Sequence, residues 1–485
     1  MTSKTTYLNS PLEKPLSVRI ITAALWLLFL GNLLFTAFFF PNIPAMNIGN
    51  VLKINGFTLL LWTTVSFFSA VIASYAGSYF KDKRQMSRFI WHCAGFTLSV
   101  MLFVIAEHLL LLIAGWLLMG YLMARLIGLQ TEWGDAREAR RFTQGYFLLG
   151  GFFLAVGVLL PGFWNNVFTL SGLMASMGQT PAYILLISAV CIIIAALIQS
   201  AIFPFHRWLL SAMTAPTPAS ALMHAGFVNG SGILLTMFGT ILLATNTLEI
   251  LFVIGGLTAI VAQFTKLIQV NVKQRLACST IAQMGFMIMQ CGLGFFNAAI
   301  AHLILHGFYK AYLFLSSGEE IERSAPQEAP RIRIKWLQAV FVLIFSLLGA
   351  WYFSLLTGKG TAWDSGIFLT LIASITVGQV TYNIVKQQLL SGFQKIAFSA
   401  LLFIAGISIY AIFYQGVTLL MAGMDIAVVP SPISWVHVVF GIVFLIGFFL
   451  MKLGSYRKSP WLYVKLMNLS QPREETTLMH KTKFQ

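Results

Sequence analysis

The sequence predicts an all-α polytopic membrane protein with about fourteen transmembrane helices, and three observations predict it. Of 485 residues, 58% are hydrophobic and 9% are charged, with a mean hydropathy of +0.82; a soluble chain carries about 25% charged residues to cover its surface. Apolar runs recur at the length of about 20 residues that a hydrocarbon core of roughly 30 Å requires. Gly and Pro punctuate these runs too rarely for the shorter strands of a buried sheet, and in lipid only helices or closed barrels satisfy their backbone groups.

Taken in order, the spans fall near 17–40, 57–79, 88–106, 107–128, 143–160, 181–203 and 218–243, then near 250–270, 278–293, 295–315, 336–356, 365–385, 397–416 and 433–452. The first is too long for a cleavable signal peptide and lacks a small-residue cleavage site. The net charge of +16 reports orientation. With the N-terminus in the cytoplasm, 26 of the 31 Lys and Arg fall in inner segments. Two, Lys53 and Lys359, fall in outer loops, and Arg125, Lys266 and Lys310 lie within spans. That asymmetry is the positive-inside rule; it places both termini in the cytoplasm and argues against a nucleic-acid partner. Cys93, Cys191, Cys278 and Cys291 sit in or beside spans without CxxC spacing, so they read as packing residues. The stretch Ser459 to Ser470, SPWLYVKLMNLS, reads as a helix in the inner interface. The polar remainder of the tail reads as a docking or disordered segment.

Ionisable residues within spans are costly, which makes them functional candidates. Lys266 lies about one turn from the inner end of its span. His302, His306 and Lys310 are spaced i, i+4, i+8 and line one helix face. Two imidazoles and an amine in lipid suit a proton relay, because their affinities for protons can be tuned toward neutrality. The alternative is that each hydrogen-bonds a neighbouring helix and holds the bundle together; three aligned groups favour the relay. HxxxH spacing also suits a metal, but no Cys, Asp or Glu in the span completes a ligand set, so no metal is expected here. His224, near the start of its span, can join the relay. Glu107, at a tight turn between two spans, is read as facing water, with a mid-membrane proton site as the alternative. Arg125 can snorkel from an inner helix end. The segment Phe203 to Pro218, FPFHRWLLSAMTAPTP, carries three prolines directly after an apolar span. It reads either as a broken helix of the kind that lines ion pathways or as an ordinary loop.

Three stretches carry a family resemblance: QSAIFPFHRWLLSAMTAPTPASALMHAG (199–226), LIQVNVKQRLACSTIAQMGFMIMQCGLG (267–294) and HLILHGFYKAYLFL (302–315). In this order they resemble the antiporter-like subunits of respiratory complex I and of Mrp-type cation/proton antiporters, over roughly residues 57–320. HAGFVNGSGILL (224–235), STIAQMGFMIMQCGLG (279–294) and HGFYKAYLFL (306–315) look most like one branch, the membrane subunit of Dab-type inorganic-carbon transporters. That resemblance implies two inverted five-helix repeats, at 88–243 (with the broken helix near 199–217) and 250–385. Residues 1–87 would supply a tail and two spans, 386–452 two further spans, and 453–485 the interfacial helix and tail. It also implies a bacterial inner-membrane location and a large cytoplasmic partner similar to a β-type carbonic anhydrase. Zinc would be carried by that partner and no cofactor by this chain, which lacks a Cys/His/Asp zinc set and so is not itself the enzyme.

The departures from the complex I pattern matter. Where that pattern has GWE, this chain reads Gly115-Trp116-Leu117; where it has lysines, this chain has Gln199 and Asn229. Span 336–356 carries neither an ionisable residue nor a proline. His224, His302, His306 and Lys310 do match positions of the family's proton path, with Lys266 beside them. Glu107, Gln199, His206, Asn229 and Lys273 are accessory candidates. The expectation is a subunit that conducts H⁺ or Na⁺ and energises its partner's conversion of CO₂ to bicarbonate. A complex I or Mrp-like antiporter subunit and a non-conducting membrane anchor are the alternatives.

Overall fold

A helix apolar on all sides belongs either in lipid or at the centre of a bundle, and this chain contains both kinds. The computed structural model describes residues 14–317, 336–387, 389–424, 427–453 and 459–477. Helix α1 (Leu16–Phe39) is peripheral and exposes Leu27, Leu34 and Phe38. The Trp26 indole N–H ties it to α2 (Gly56–Tyr79) by donating to Ser74 Oγ at 2.9 Å. Between them lies a departure from the all-α expectation. Strands β1 (Met46–Ile48) and β2 (Leu52–Ile54) pair antiparallel, with Asn47 opposite Lys53. Asn55, Asp82 and His108 accept backbone N–H groups at the starts of α2, α3 (Lys83–Ile105) and α4 (Leu109–Ile127), which satisfies donors that a helix N-terminus leaves free.

Helix α5 (Gly134–Asn165) extends beyond the expected 143–160, because its first turns, from Asp135 to Arg141, are polar. Then follow α6 (Leu170–Ala175), α7 (Ala182–Gln199), α8 (Arg207–Ser211), α9 (Thr217–Ala225), α10 (Gly230–Met237) and α11 (Gly239–Ala244). The proline-rich segment is indeed a break: α7 ends at Gln199 and residues 200–206 turn before α8. A second break was not expected. The single span read at 218–243 is interrupted by a 3₁₀ turn, Phe227–Asn229, and again near Phe238. Gly226, Gly230 and Gly232 weaken helix there, and polar side chains take over the freed carbonyls.

The second half contains α12 (Leu248–Ile268), α13 (Val272–Gly292), α14 (Phe296–Ser316), α15 (Trp336–Thr357), α16 (Gly366–Val385), α17 (Gly392–Leu420) and α18 (Trp435–Leu453). Every residue of α9 and α10 is buried, so these two short helices form the centre, with α7, α13 and α14 around them. The outer helices α15 to α18 turn residues such as Leu347, Trp351, Ile409 and Ile442 outward, as lipid-facing helices do. The expected interfacial helix is α19 (Pro460–Leu469). It exposes Trp461 and buries Leu466 against Ile268. All four cysteines are buried as free thiols. The N-terminal tail, the basic segment 323–335 and residues 478–485 lie outside the described residues.

Eleven helices among the described residues are long and apolar enough to cross a membrane. Of the other three expected spans, 218–243 is interrupted, α13 is too polar along Lys273, Gln274 and Arg275, and α18 is the 19-residue apolar helix Trp435–Leu453, whose stretch Trp435–Gly447 alone is fully described.

The contact that sets the centre is α9 against α14. A Cβ on Gly307 would stand 2.7 Å from the Phe68 ring and 3.0 Å from the Ala225 carbonyl oxygen, so only glycine lets these helices meet. Gly307→Ala is therefore expected to destabilise the protein by roughly 1–3 kcal/mol through overpacking. Gly145→Ala, where nothing lies within 4 Å of the added carbon, is expected to leave stability unchanged or slightly raised; thermal unfolding of the purified variants compares them.

Candidate proton pathway

The close approach at Gly307 brings His224 of α9 against α14. Its imidazole stacks on Phe314 with centroids 4.4 Å apart and planes 13° from parallel. On α14, the rings of His302 and His306 are 6.1 Å apart and 11° from parallel, as the four-residue spacing requires. Lys310, fully buried, donates from Nζ to the Leu276 carbonyl of α13 at 2.9 Å. Both ring nitrogens of His224 and of His306, and Nε2 of His302, are buried without a hydrogen-bond partner in the described chain. Buried polar atoms are nearly always paired, so five orphan nitrogens in one place mark a polar interior that the packing does not explain.

Four of the five expected path residues converge. Lys310 lies within Coulombic reach of His224 and His306, and His306 within reach of His302 and His224. Lys266, half-buried on α12, is within Coulombic reach of Lys310 and joins from the side. A proton cannot jump directly between rings separated by 6 Å, since a hydrogen bond needs about 3 Å. One bridging water or a ring flip closes that gap. The arrangement can therefore pass a proton along α14 and can hold one at Lys310.

The accessory candidates divide differently. Gln199 Nε2 donates to the Phe227 carbonyl at 3.1 Å, and Asn229 Nδ2 to the carbonyls of Ala225 at 2.7 Å and Leu303 at 3.3 Å. The Ser200 hydroxyl bonds the Val228 carbonyl and the Ser231 hydroxyl. These side chains satisfy the backbone at the second break and pin it to the first. Lys273 Nζ donates to the Ala215 carbonyl at 2.9 Å, fastening the start of α13 to the linker before α9. The reading of Glu107 as a water-facing turn residue needs correction. It is 5% exposed, and its carboxylate accepts the Ser171 backbone N–H at 2.8 Å and the Ser171 hydroxyl. The α3–α4 turn is thereby stitched to the start of α6.

His206 stands apart from the cluster. Its Nε2 is 2.8 Å from the Leu469 carbonyl at the end of α19, and its ring lies over Phe203. Gln269 Nε2 donates to Ser470 Oγ at 2.6 Å, and the Arg473 backbone N–H to Ser211 Oγ at 3.1 Å. Residues 460–477 thus form a strap across the break between α7 and α8.

Sequence reasoning missed the second break, Gln290, His437 and the burial of Lys359. The clustered glycines at 226, 230 and 232 signalled the break. His437 caps its own helix by accepting from Ser434, an Ser-x-x-His spacing that is visible in the sequence.

Residues 106–385 match the transmembrane family of NADH:quinone oxidoreductase and Mrp antiporter subunits, and the chain belongs to that family. Within it, the likeness is to the Dab-type subunits. The chain is 26% identical over 441 residues to the probable inorganic carbon transporter subunit DabB of Hydrogenovibrio crunogenus, covering 88% of this chain and 82% of that one. It is 34% identical to DabB of Bacillus subtilis over 53% of this chain and 51% of that protein. NADH-quinone oxidoreductase subunit L of Escherichia coli is 31% identical over 58% of this chain and 46% of its own length. The chain thus spans about half the length of several relatives. Among solved structures, the Mrp complex from Dietzia sp. DQ12-45-1b matches 94% of this chain and 52% of its own with a TM-score of 0.54 at 18% identity. An archaeal membrane-bound sulfane sulfur reductase matches 93% of this chain and 91% of its own at 0.57 and 16%. These two share the fold.

Burial lowers the pKa of His206 to about 4, with the Leu469 contact acting the other way. An unfolded histidine titrates near 6.5, so between these values the undocked state binds more protons. The stability that His206 gives the strap is thus present above about pH 6.5 and lost as pH falls toward 4. Hydrogen exchange of residues 460–477, corrected for intrinsic rate, is expected to show protection falling between pH 7.5 and 5. His206→Phe is expected to remove that pH dependence.

Proposed function

We propose that this chain is the ion-conducting membrane subunit of a two-component inorganic-carbon uptake complex. Protons pass through His302, His306, His224 and Lys310, with Lys266 at one side, and energise a cytoplasmic, zinc-bearing partner similar to a carbonic anhydrase. The partner hydrates CO₂ to bicarbonate; this chain admits the protons that the membrane gradient drives inward. One charge crossing 100 mV yields about 2.3 kcal/mol, enough to drive such a step in one direction. The membrane is a bacterial inner membrane, as the family resemblance implies, and the charge asymmetry puts both termini in the cytoplasm.

One observation carries the reading. The buried titratable cluster on α14 and α9 survives, while Gln199 and Asn229, at positions where complex I relatives have lysines, are hydrogen-bonded to backbone carbonyls. A long charged axis for an electrically driven pump is missing at these positions; a single short path suits delivery of ions to a partner. The cluster also favours H⁺ over Na⁺. Its groups are nitrogen bases and an amine, whereas hard cations seek oxygen ligands. The non-conducting anchor has its own support, since Lys310 is satisfied by Leu276 O and the His224 ring packs on Phe314.

The test is proton flux into vesicles containing the full chain with its co-purifying partner, driven by an imposed potential. His306→Gln and Lys310→Met are each expected to cut the rate at least tenfold, about 1.4 kcal/mol of barrier, while the partner still co-elutes. Undiminished flux in both variants would overturn this path through the chain, and a wild-type chain without flux would leave the anchor reading. Co-purification of several antiporter or quinone-oxidoreductase subunits in place of one zinc protein would overturn the inorganic-carbon assignment.

A further inference from the structure

Lys359 is one of two basic residues that the charge count leaves in outer loops, and the fold buries it. It lies between α15 and α16, flanked by Gly358 and Gly360, whose φ angles are +67° and +76°. These left-handed conformations, which other residues resist, turn the loop inward and leave Lys359 5% exposed. Its Nζ stands 3.7 Å from the centroid of the Tyr414 ring and 4.7 Å from that of Phe295. It has no hydrogen-bond partner among the described residues. Lys273 shows how a structural lysine behaves in this bundle, since it donates to a backbone carbonyl. Lys359 is held by π faces alone, an attraction worth up to about 2 kcal/mol when desolvated.

Among the described residues, the elements packed on it supply no counter-charge. Phe295 leads into α14; α17 presents Tyr414 and, one turn away, Tyr410. Asp364, on its own loop, engages Oδ1 with the Gly366 backbone N–H at 2.8 Å. The facing segment 427–434 contains no charged residue. Behind Tyr414, the Tyr410 ring stacks 6.1 Å away at 13°, and Tyr410 borders a cavity of about 330 Å³ between α13, α14, α16 and α17. His302 and Gln290 border the same cavity, and His302 Nε2 and Gln290 Oε1 are both unpaired. Most of the rest of the lining is apolar, so water in this cavity would gather at those polar atoms, and the volume has room for it.

We propose that Lys359 is the outer proton-loading site of the path, passing protons through water alongside Tyr414 and Tyr410 and in this cavity to His302. This rests on the proton-conducting reading above and extends it to the outer face. The step is a proton transfer: the ammonium gives up H⁺, the amine is left neutral, and the His302 imidazole becomes imidazolium, with no other bond changed. Burial brings the Lys359 amine down to about 7, so it is loaded below that pH and empty above it.

Two substitutions separate loading from packing, with flux measured in the same vesicles between pH 6 and 8.5. Lys359→Arg keeps a cation over both rings but does not release its proton in this range; Lys359→Met keeps the bulk and removes the charge. Both are expected to lower flux at least tenfold and to abolish the change in rate centred near pH 7, with Lys53→Met, in the other outer loop, unaffected. A merely structural Lys359 predicts that Arg restores what Met loses. That rescue, or full flux in both variants while His306→Gln is inactive, overturns the loading site alone. A wild-type chain that carries no proton flux overturns the conducting reading, and the loading site with it.

Discussion

In a bilayer no backbone carbonyl can be left to water, so an interrupted helix is tolerated only where other groups take over its hydrogen bonds. The centre of this protein is organised by that requirement. Two breaks face each other, one after α7 and one between α9 and α10. Gln199, Ser200 and Asn229 bond to the carbonyls of residues 225, 227, 228 and 303. Because these struts are short and neutral, the two breaks lock together without a buried ion pair. Once locked, α9 is held where Gly307 admits it against α14, and His224 has one position.

The same requirement explains why amides suffice at Gln199 and Asn229. Gln and Asn have the reach of a short side chain and donate to carbonyls as lysine does. Replacing a lysine by an amide preserves the mechanical joint while deleting the titratable group. The structure separates two roles that a lysine would combine, and the separation leaves α14 with the remaining buried bases along the centre.

Much of this was legible in the sequence, for physical reasons. Hydrophobic length marks a span wherever the helix faces lipid, which is why the positions of α1 to α4 and α14 to α17 were readable. The four-residue spacing of His302, His306 and Lys310 fixes them to one face of any helix. Length and hydropathy fail at the centre. There, α9 to α11 are apolar enough to pass for one span, and their interruption depends on partners almost 30 residues earlier. Glu107 and Lys359 were misplaced for a related cause: both lie in turns, and a turn in the sequence carries no sign of whether another segment covers it. For Glu107 that segment is the start of α6; for Lys359 it is the pair Phe295 and Tyr414.

The burial of Cys93, Cys191, Cys278 and Cys291 as free thiols has a practical side. A buried thiol is closed to bulky polar reagents, so polar maleimides applied from either aqueous face meet no native target. The natural chain is already a quiet background for introduced cysteines. Single replacements along the cavity-facing sides of α14 and α17 can be labelled one at a time, from each side of a sealed membrane, without first removing any residue that the packing needs.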